Sequence, residues 1–318
     1  MQTDVGETMR SVLIALCLSA LAGNAAADTC PILSPTEKAQ LVEHHVFGGL
    51  PSEGDVLVRR GYVLSYDETH RVPRWAAWHA SPDYRSIPDR NVSRWGSFHE
   101  DPDLTNPVEE DDYNGLYSSE DNFARGHIVP YYISGGDRDG DGQSASDAEG
   151  DDLADLDDAC TVFEIMYMSN IAPQYHFDFN GSGGLWYELE TELREFIDRG
   201  AQFHIIAGTT FGEDDIQYVG PEDDRTIGVP DMFFKIVVTD QGPVGFLFAH
   251  RRQLVPEACP LEAELADCIV PIVSIEAATG LDFFAGLAQL EDELEAIDGQ
   301  VVWQTLTSTP ETTEDVAP

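Results

Sequence analysis

One stretch constrains the fold of this chain more than any other. In Leu185 to Ile197, the residues Leu185, Trp186, Leu189, Leu193, Phe196 and Ile197 recur at helical spacing and form one apolar stripe. A helix with a single such face must bury it, and the sequence offers sheet-like partners on both sides. Val56 to Tyr66 and Val72 to His79 alternate or cluster apolar residues around the polar turn Asp67-Glu-Thr-His70, which predicts a hairpin. Val162 to Met168, Phe203 to Ala207, Met232 to Val238 and Val244 to Ala249 read as buried strands. Pro35 to His45 reads as a short helix capped by Ser34 or Thr36. Residues 80–121, rich in Pro, Asp, Ser and Asn, read as a long surface connection. Strands before and after such a helix fit an α+β fold with an antiparallel sheet.

Two polar segments lie upstream of that helix. Asn122-Phe-Ala-Arg-Gly-His127 is followed, about forty residues later, by Ser169-Asn-Ile-Ala-Pro-Gln174, which runs on to Asn180 and Trp186-Tyr-Glu-Leu-Glu190. They supply an imidazole, an arginine near it, several amides and a carboxylate on the helix. That set suits hydrolysis of a phosphodiester assisted by one hard divalent metal. The imidazole can take a proton from water, an amide or carboxylate oxygen can hold Mg²⁺, and a guanidinium can hold phosphate oxygens as charge builds. Glu190 sits at the border of the apolar stripe with Arg194 one turn beyond, half-shielded as a metal-site carboxylate should be. The alternative is an i,i+4 surface pair worth roughly 0.2–0.5 kcal/mol.

At these residues the chain resembles the DNA/RNA non-specific endonucleases, the ββα-metal nucleases. Their signature is Asp-Arg-Gly-His, then Ser-Asn-x-x-Pro-Gln, then Asn-Gln-Gly-x-Trp-x-x-Leu-Glu. Val56–Tyr66 with Trp75-Ala-Ala-Trp78, Pro230–Val237 and Thr279–Gly286 extend the similarity over roughly residues 50–290. The resemblance implies a central six-stranded antiparallel sheet flanked by helices, with the site on a strand–loop–helix finger. It implies a Mg²⁺- or Mn²⁺-dependent enzyme that cuts DNA and RNA by direct attack of water, leaving 5′-phosphates. Carried over by position, His127 is the general base, Asn180 the sole direct metal ligand, and Glu190 the carboxylate that holds water of the metal's shell. Arg125 and Arg194 match phosphate-contacting arginines, and Arg94, before Trp95, matches a further substrate arginine. Asn170 and Gln174 match an upstream amide pair that supports the site, Asn170 grouped with the catalytic residues and Gln174 with substrate binding.

Two departures stand out. The leading Asp of the signature is Ala124 here; that Asp orients its neighbours, so its loss is expected to weaken the site without abolishing it. The segment Asn180-Gly-Ser-Gly-Gly-Leu-Trp186 is two residues longer than the signature, which shifts the ligand and brings Asp178 within reach of the metal shell. Two other readings fit: a catalytically weakened, calcium-dependent binding or surface protein, and a phosphodiesterase acting on small substrates. Retention of His127, Asn180 and Glu190 together favours the endonuclease.

Charge opposes that reading at first sight. A net charge of −42 should repel nucleic acid, because duplex binding relies on Lys and Arg displacing counterions. Yet the 17 basic residues include only two lysines, Lys38 and Lys235. An acid-rich, lysine-poor composition suits a protein kept soluble in high salt, where repulsion is screened over short distances. Arg59, Arg60, Arg71, Arg74, Arg85, Arg90 and Arg94 also fall in one stretch with only four acids, so this part is locally basic.

From Met9 the chain reads Arg10, an apolar run from Val12 to Ala22, then Ala25-Ala-Ala27. This predicts a secretory signal peptide cut after Ala27 and an extracellular or periplasmic protein. The run is too short to span a bilayer, and no later one approaches that length, so no membrane partner is expected. Residues 28–304 then form one domain, and 305–318 a disordered polar tail. The four remaining cysteines, Cys30, Cys160, Cys259 and Cys268, favour disulfides in an exported chain. Cys259 with Cys268 is the near pair and leaves Cys30 with Cys160 by elimination; buried free thiols are the alternative. Within an acidic insert, residues 135–158, Asp137-Arg-Asp-Gly-Asp-Gly142 resembles the start of a calcium loop, with Asp137, Asp139 and Asp141 as ligands. Ala148 at the twelfth position departs from a regular EF-hand, and a flexible acidic loop is the alternative. Both a monomer and a homodimer remain open.

Overall fold

The computed structural model describes residues 30–87, 96–145, 156–212, 216–221, 226–250 and 258–308. The expected signal peptide, Arg90, Arg94 and the last residues of the tail lie outside these. The described residues from Ile32 onward form one compact unit, to which all the elements below belong.

In chain order these are α1 (Pro35–His45), β1 (Leu57–Val58), β2 (Val63–Asp67), β3 (Val72–Ala80), β4 (Phe123–His127), α2 (Leu156–Ile165), β5 (Ile171–Tyr175), α3 (Leu185–Asp198) and β6 (Phe203–Thr210). There follow β7 (Tyr218–Val219), β8 (Ile227–Gly228), β9 (Met232–Thr239), β10 (Gly242–Ala249), β11 (Ile269–Val270), α4 (Ile272–Thr279), α5 (Glu291–Glu295) and α6 (Gly299–Ser308). Helix α1 starts at Ser34, which exchanges hydrogen bonds with Glu37: Ser34 N–H to the carboxylate at 2.7 Å, Glu37 N–H to the hydroxyl at 3.3 Å.

The main sheet is antiparallel throughout, in the order β1-β2-β3-β6-β9-β10-β11. It has seven strands against the six that the resemblance implies; the two edge strands, β1 and β11, are two residues each. Helices flank it, giving the expected α+β class. Strand β10 is buried along its whole length, and so is β9 up to its final Thr239. One core cluster joins Trp75, Ile206, Phe234, Ile236, Leu247 and Phe283, each fully burying a side chain worth about 1.5–3 kcal/mol. The stripe of α3 meets the sheet through Trp186, whose ring centroid lies 5.6 Å from that of Phe233.

Four expectations are corrected. Val162–Met168 is not a strand but the end of α2 and a following turn. The segment is buried almost throughout, Val162, Ile165, Met166 and Met168 included, and so short an apolar run does not itself distinguish helix from strand. The first hairpin arm, Val56–Tyr66, is broken into β1 and β2 because both arginines between them are drawn to carboxylates. Arg59 pairs with Asp101 at 2.5 Å and Asp103 at 2.7 Å, and Arg60 with Glu164 at 2.5 Å. The connection 80–121 is not wholly a surface one: Asp101 is fully buried, holding Arg59 and accepting from the Ser169 hydroxyl at 2.5 Å. The first residues of the expected tail are helical, since Trp303 seats α6 against Phe246 at 5.1 Å and Phe196 at 5.8 Å.

The basic stretch acts as staples. Beside Arg59 and Arg60, Arg71 pairs with Asp112 at 3.4 Å and Arg85 with Asp198 at 2.6 Å. A disulfide joins Cys259 to Cys268, and Cys30 and Cys160 are disulfide-bonded as well. Among the described residues no helix is long and apolar enough to cross a membrane.

Candidate active site

The motif segments become the two-stranded ribbon β4–β5. Its register pairs Ala124 with Gln174, Gly126 with Ala172 and His127 with Ile171. Strand alternation therefore puts Ala124, Gly126 and Gln174 on one face, with His127 closing the strand. Asn122 enters the ribbon in the left-handed region (φ 53°), which Asn tolerates better than most residues, and its carbonyl accepts the His176 N–H at 2.9 Å.

Gln174 is fully buried and folds over Gly126. A Cβ at position 126 would lie 2.1 Å from Gln174 Oε1, so only glycine leaves room for the amide. Gln174 Oε1 accepts from Asn180 Nδ2. Asn180 ends a single π-helical turn, His176–Asn180, that leads towards α3. Its amide nitrogen is thus engaged, and Oδ1 is its remaining acceptor. Asp178, on the same turn, is exposed.

Asn170 is a bracket. Its Oδ1 accepts Val129 N–H at 2.9 Å, and its Nδ2 donates to the carbonyls of Val129 and Ile165, both at 3.0 Å. Fully buried and bonded at both ends of its amide, it braces the loop after His127 and cannot touch substrate. Gln174 cannot either, for the same reason of burial. Asn170, grouped with the catalytic residues, and Gln174, grouped with substrate binding, are thus both buried, where an amide pair that supports the site would stand.

His127 and Arg125 are half-buried around Phe98. The His127 ring lies 5.4 Å from that of Phe98, and the Arg125 guanidinium 5.2 Å from its centroid. Arg125 also reaches Glu110, 3.5 Å from its carboxylate and 3.2 Å from its carbonyl. Glu110 is solvent-exposed, so exchanging it for a phosphate costs little.

Helix α3 brings Glu190 and Arg194. Glu190 Oε1 lies 3.1 Å from Lys235 Nζ, and that ammonium stands 3.8 Å above the Trp186 ring. Lys235 is fully buried in the middle of β9. Burial holds its ammonium below the ordinary lysine value, and the Glu190 carboxylate offsets part of that shift. Arg194 hydrogen-bonds Thr191 at 3.2 Å and lies 5.7 Å from the Tyr132 ring, which Arg85 approaches at 5.3 Å. Burial, and after it the Glu190 charge, push the Tyr132 hydroxyl above its usual range; that hydroxyl has no hydrogen-bond partner among the described residues. Sequence reading missed Lys235 and Tyr132. The signal for Lys235 was present, as one charge inside the apolar run Met232–Val238; Tyr132 carried none.

Residues 47–290 match the profile of the DNA/RNA non-specific endonuclease family. The chain belongs to that family. It is a family of metal-dependent enzymes that hydrolyse nucleic acid. Among relatives, the mitochondrial nuclease EXOG of Danio rerio is 27% identical over 265 residues, 78% of this chain and 68% of its own length. Nuclease C1 of Cunninghamella echinulata var. echinulata is 26% identical over 249 residues, 75% and 86% of the respective chains. Mitochondrial endonuclease G of Bos taurus is 27% identical over 260 residues, 78% and 75%. The chain spans 64% of the mouse and 57% of the human EXOG nuclease. The fold is shared with a crystal structure of an EndoG/EndoGI complex at a TM-score of 0.56 and 20% identity, covering 80% of this chain and 94% of that one.

In this endonuclease-family chain a buried histidine ties the ribbon to the sheet. His250 Nδ1–H donates to the Pro230 carbonyl at 3.0 Å, and Nε2 accepts the Tyr175 N–H at 2.9 Å. Burial pushes His250 from 6.5 down to about 3. His79 is likewise pushed down, to about 4, and His45 well below its usual value, in both cases chiefly by burial. The unfolded chain binds these protons near pH 6.5 and the folded chain does not. Stability is therefore full above that pH and falls as pH drops, by at most about 1.4 kcal/mol per unit for fully buried His250 and by less for His79, which is partly open to solvent. Denaturant midpoints should decline between about pH 6.5 and pH 5; a flat profile there would contradict the neutral, buried His250.

Residues 137–142 of the acidic insert form a loop in which oxygens of Asp137, Asp139 and Asp141 lie within 4.8 Å of one another. Asp137 accepts the N–H groups of Gly140 at 2.7 Å and Gly142 at 2.9 Å, while Arg138 between the acids turns inward over the Tyr84 ring.

Proposed function

We propose that this chain is an exported, Mg²⁺- or Mn²⁺-dependent endonuclease that hydrolyses phosphodiesters of DNA and RNA by attack of water. The observation that carries the reading is the Gln174–Asn180 hydrogen bond, which orients one neutral amide so that its oxygen remains available. An amide oxygen and a carboxylate suit a hard cation that gives up its hydration reluctantly, so Asn180 Oδ1 would hold the ion and Glu190 would stand in its outer shell. Bound there, the ion would neutralise the scissile phosphate and the leaving oxygen.

The chain's own residues do the rest. His127 takes the proton of the attacking water, with the Phe98 ring beside it. Glu190, with Oε1 engaged by Lys235, has Oε2 left to accept from water and orient it. Arg125 and Arg194 hold phosphate oxygens; the role of Arg94, outside the described residues, rests on the resemblance alone. Products would carry 5′-phosphates. Disulfide-bonded cysteines support export to an oxidising compartment.

Digestion of plasmid and of RNA across Mg²⁺, Mn²⁺ and chelator, from low to molar NaCl, tests this. Both polymers should be shortened with Mg²⁺, and neither with chelator. Cleavage of neither polymer, or cleavage indifferent to chelator, would refute the reading. Calcium at Asp137, Asp139 and Asp141 is a separate part of the proposal. A saturating dose, about 100 times Kd, stabilises by about 2.7 kcal/mol. Chelated protein should therefore gain several degrees in Tm with Ca²⁺, and Asp139→Asn should lose the gain; an unchanged Tm would exclude it.

A further inference from the structure

We propose that Tyr117, His176 and Phe177 form a stacking platform for unpaired nucleobases on the rim of the candidate active site, which makes single-stranded nucleic acid the favoured substrate class. The inference rests on the endonuclease reading above. Phe177 is 62% exposed and Tyr117 54%, in a chain that buries Trp75, Trp78, Trp186 and Phe179 completely or nearly so. His176 lies between the two, its ring centroid 4.8 Å from Tyr117 and 4.9 Å from Phe177. The rings meet at 59° and 68°, so they form a faceted aromatic cluster that offers a base the exposed rings of Tyr117 and Phe177.

The rings are held outward by a fixed backbone. His176 donates its N–H to Asn122 at 2.9 Å, and its carbonyl accepts Gly181 N–H at 2.5 Å. On the same turn Phe179 points the other way, into the core 5.1 Å from Phe233. One aromatic anchors the turn while its neighbour Phe177 faces solvent. Continuity with the site identifies the occupant: His176 and Phe177 lie on the five-residue turn that ends in Asn180, the proposed metal ligand. A polynucleotide with its phosphate at Asn180 has its adjoining bases beside these rings.

Charge argues the same way. A chain of net charge −42, with Arg59, Arg60, Arg71 and Arg85 tied into ion pairs, has few cations to hold a phosphate backbone. Stacking requires no charge and tolerates any base, because every base has a π face. In a duplex those faces are covered by neighbouring bases, so the platform discriminates in favour of unpaired strands.

The test uses a single-stranded oligonucleotide carrying 2-aminopurine, whose fluorescence falls when it stacks. On full-length His127→Ala protein with Mg²⁺, binding should quench the probe. Quenching should vanish with Tyr117→Ala and Phe177→Ala added, and persist with Phe177→Tyr, which keeps the ring. In the active protein the double substitution should raise KM for a single strand about tenfold more than KM for a duplex. Equal effects on both substrates, or quenching unchanged by the double substitution, would overturn the platform. A protein that quenches the probe but cuts neither polymer would refute the nuclease reading and uphold the platform. One that cuts both without quenching would do the reverse.

Discussion

His127→Ala is expected to lower cleavage of plasmid and RNA by about 10²–10⁴-fold, the usual contribution of a positioned acid or base. The side chain is half-buried at the end of β4, so its removal leaves the ribbon register, the Gln174–Asn180 hydrogen bond and the Glu190–Lys235 pair in place. The loss should therefore fall on the chemical step, measured as a single-turnover rate, with the Tm changed little. Imidazole added to the buffer should restore part of the rate, because the cavity left by the ring admits a small base. Activity within about twofold of the unsubstituted protein would assign the base elsewhere; a collapsed Tm would make His127 structural.

Lys235→Met should lower activity by about 10–100-fold, the range for partners that orient a metal site's ligands. Lys235 is fully buried, and an ammonium there is tolerable only because Glu190 stands at 3.1 Å and Trp186 presents its ring at 3.8 Å. Methionine fills similar volume with no charge to desolvate, so folding stability should hold to within about 1 kcal/mol. Glu190, which keeps some contact with water, then loses the cation that fixes Oε1. The expected signature is a higher Mg²⁺ requirement together with a lower kcat. Urea unfolding beside a Mg²⁺ titration of the rate checks it. Lower stability with an unchanged Mg²⁺ response would reduce Lys235 to a core ion pair.

Much of the candidate site was legible before any coordinates. The α3 stripe, the cap at Ser34, the Asp67–His70 turn and the Cys259–Cys268 disulfide all rest on residues near each other in sequence, where periodicity and turn chemistry carry the information. The errors share one cause. Val162–Met168 was short and apolar, and burial alone does not select strand or helix. The arm Val56–Tyr66 broke at Arg59 and Arg60 because their partners, Asp101 and Glu164, lie 42 and 104 residues away. The arginine-rich stretch read as a basic surface for the same reason: charge counts do not reveal which charges are already paired.

The sequence by itself determined the chemical inventory of this endonuclease-family chain and its family membership. An imidazole, oriented amides, a helix carboxylate and arginines at recognisable spacing are local properties of the chain. Only the tertiary structure decided how those groups divide between contact and support. Asn170 and Gln174 read as amides that support the site, and packing decides what each is bonded to; Lys235 read like a core strand residue and is the partner of Glu190 across 45 residues of sequence. The physical reason is that a polar side chain's role depends on what desolvates it and what it then pairs with. Both are set by strand pairing and helix packing rather than by the residue's neighbours along the chain.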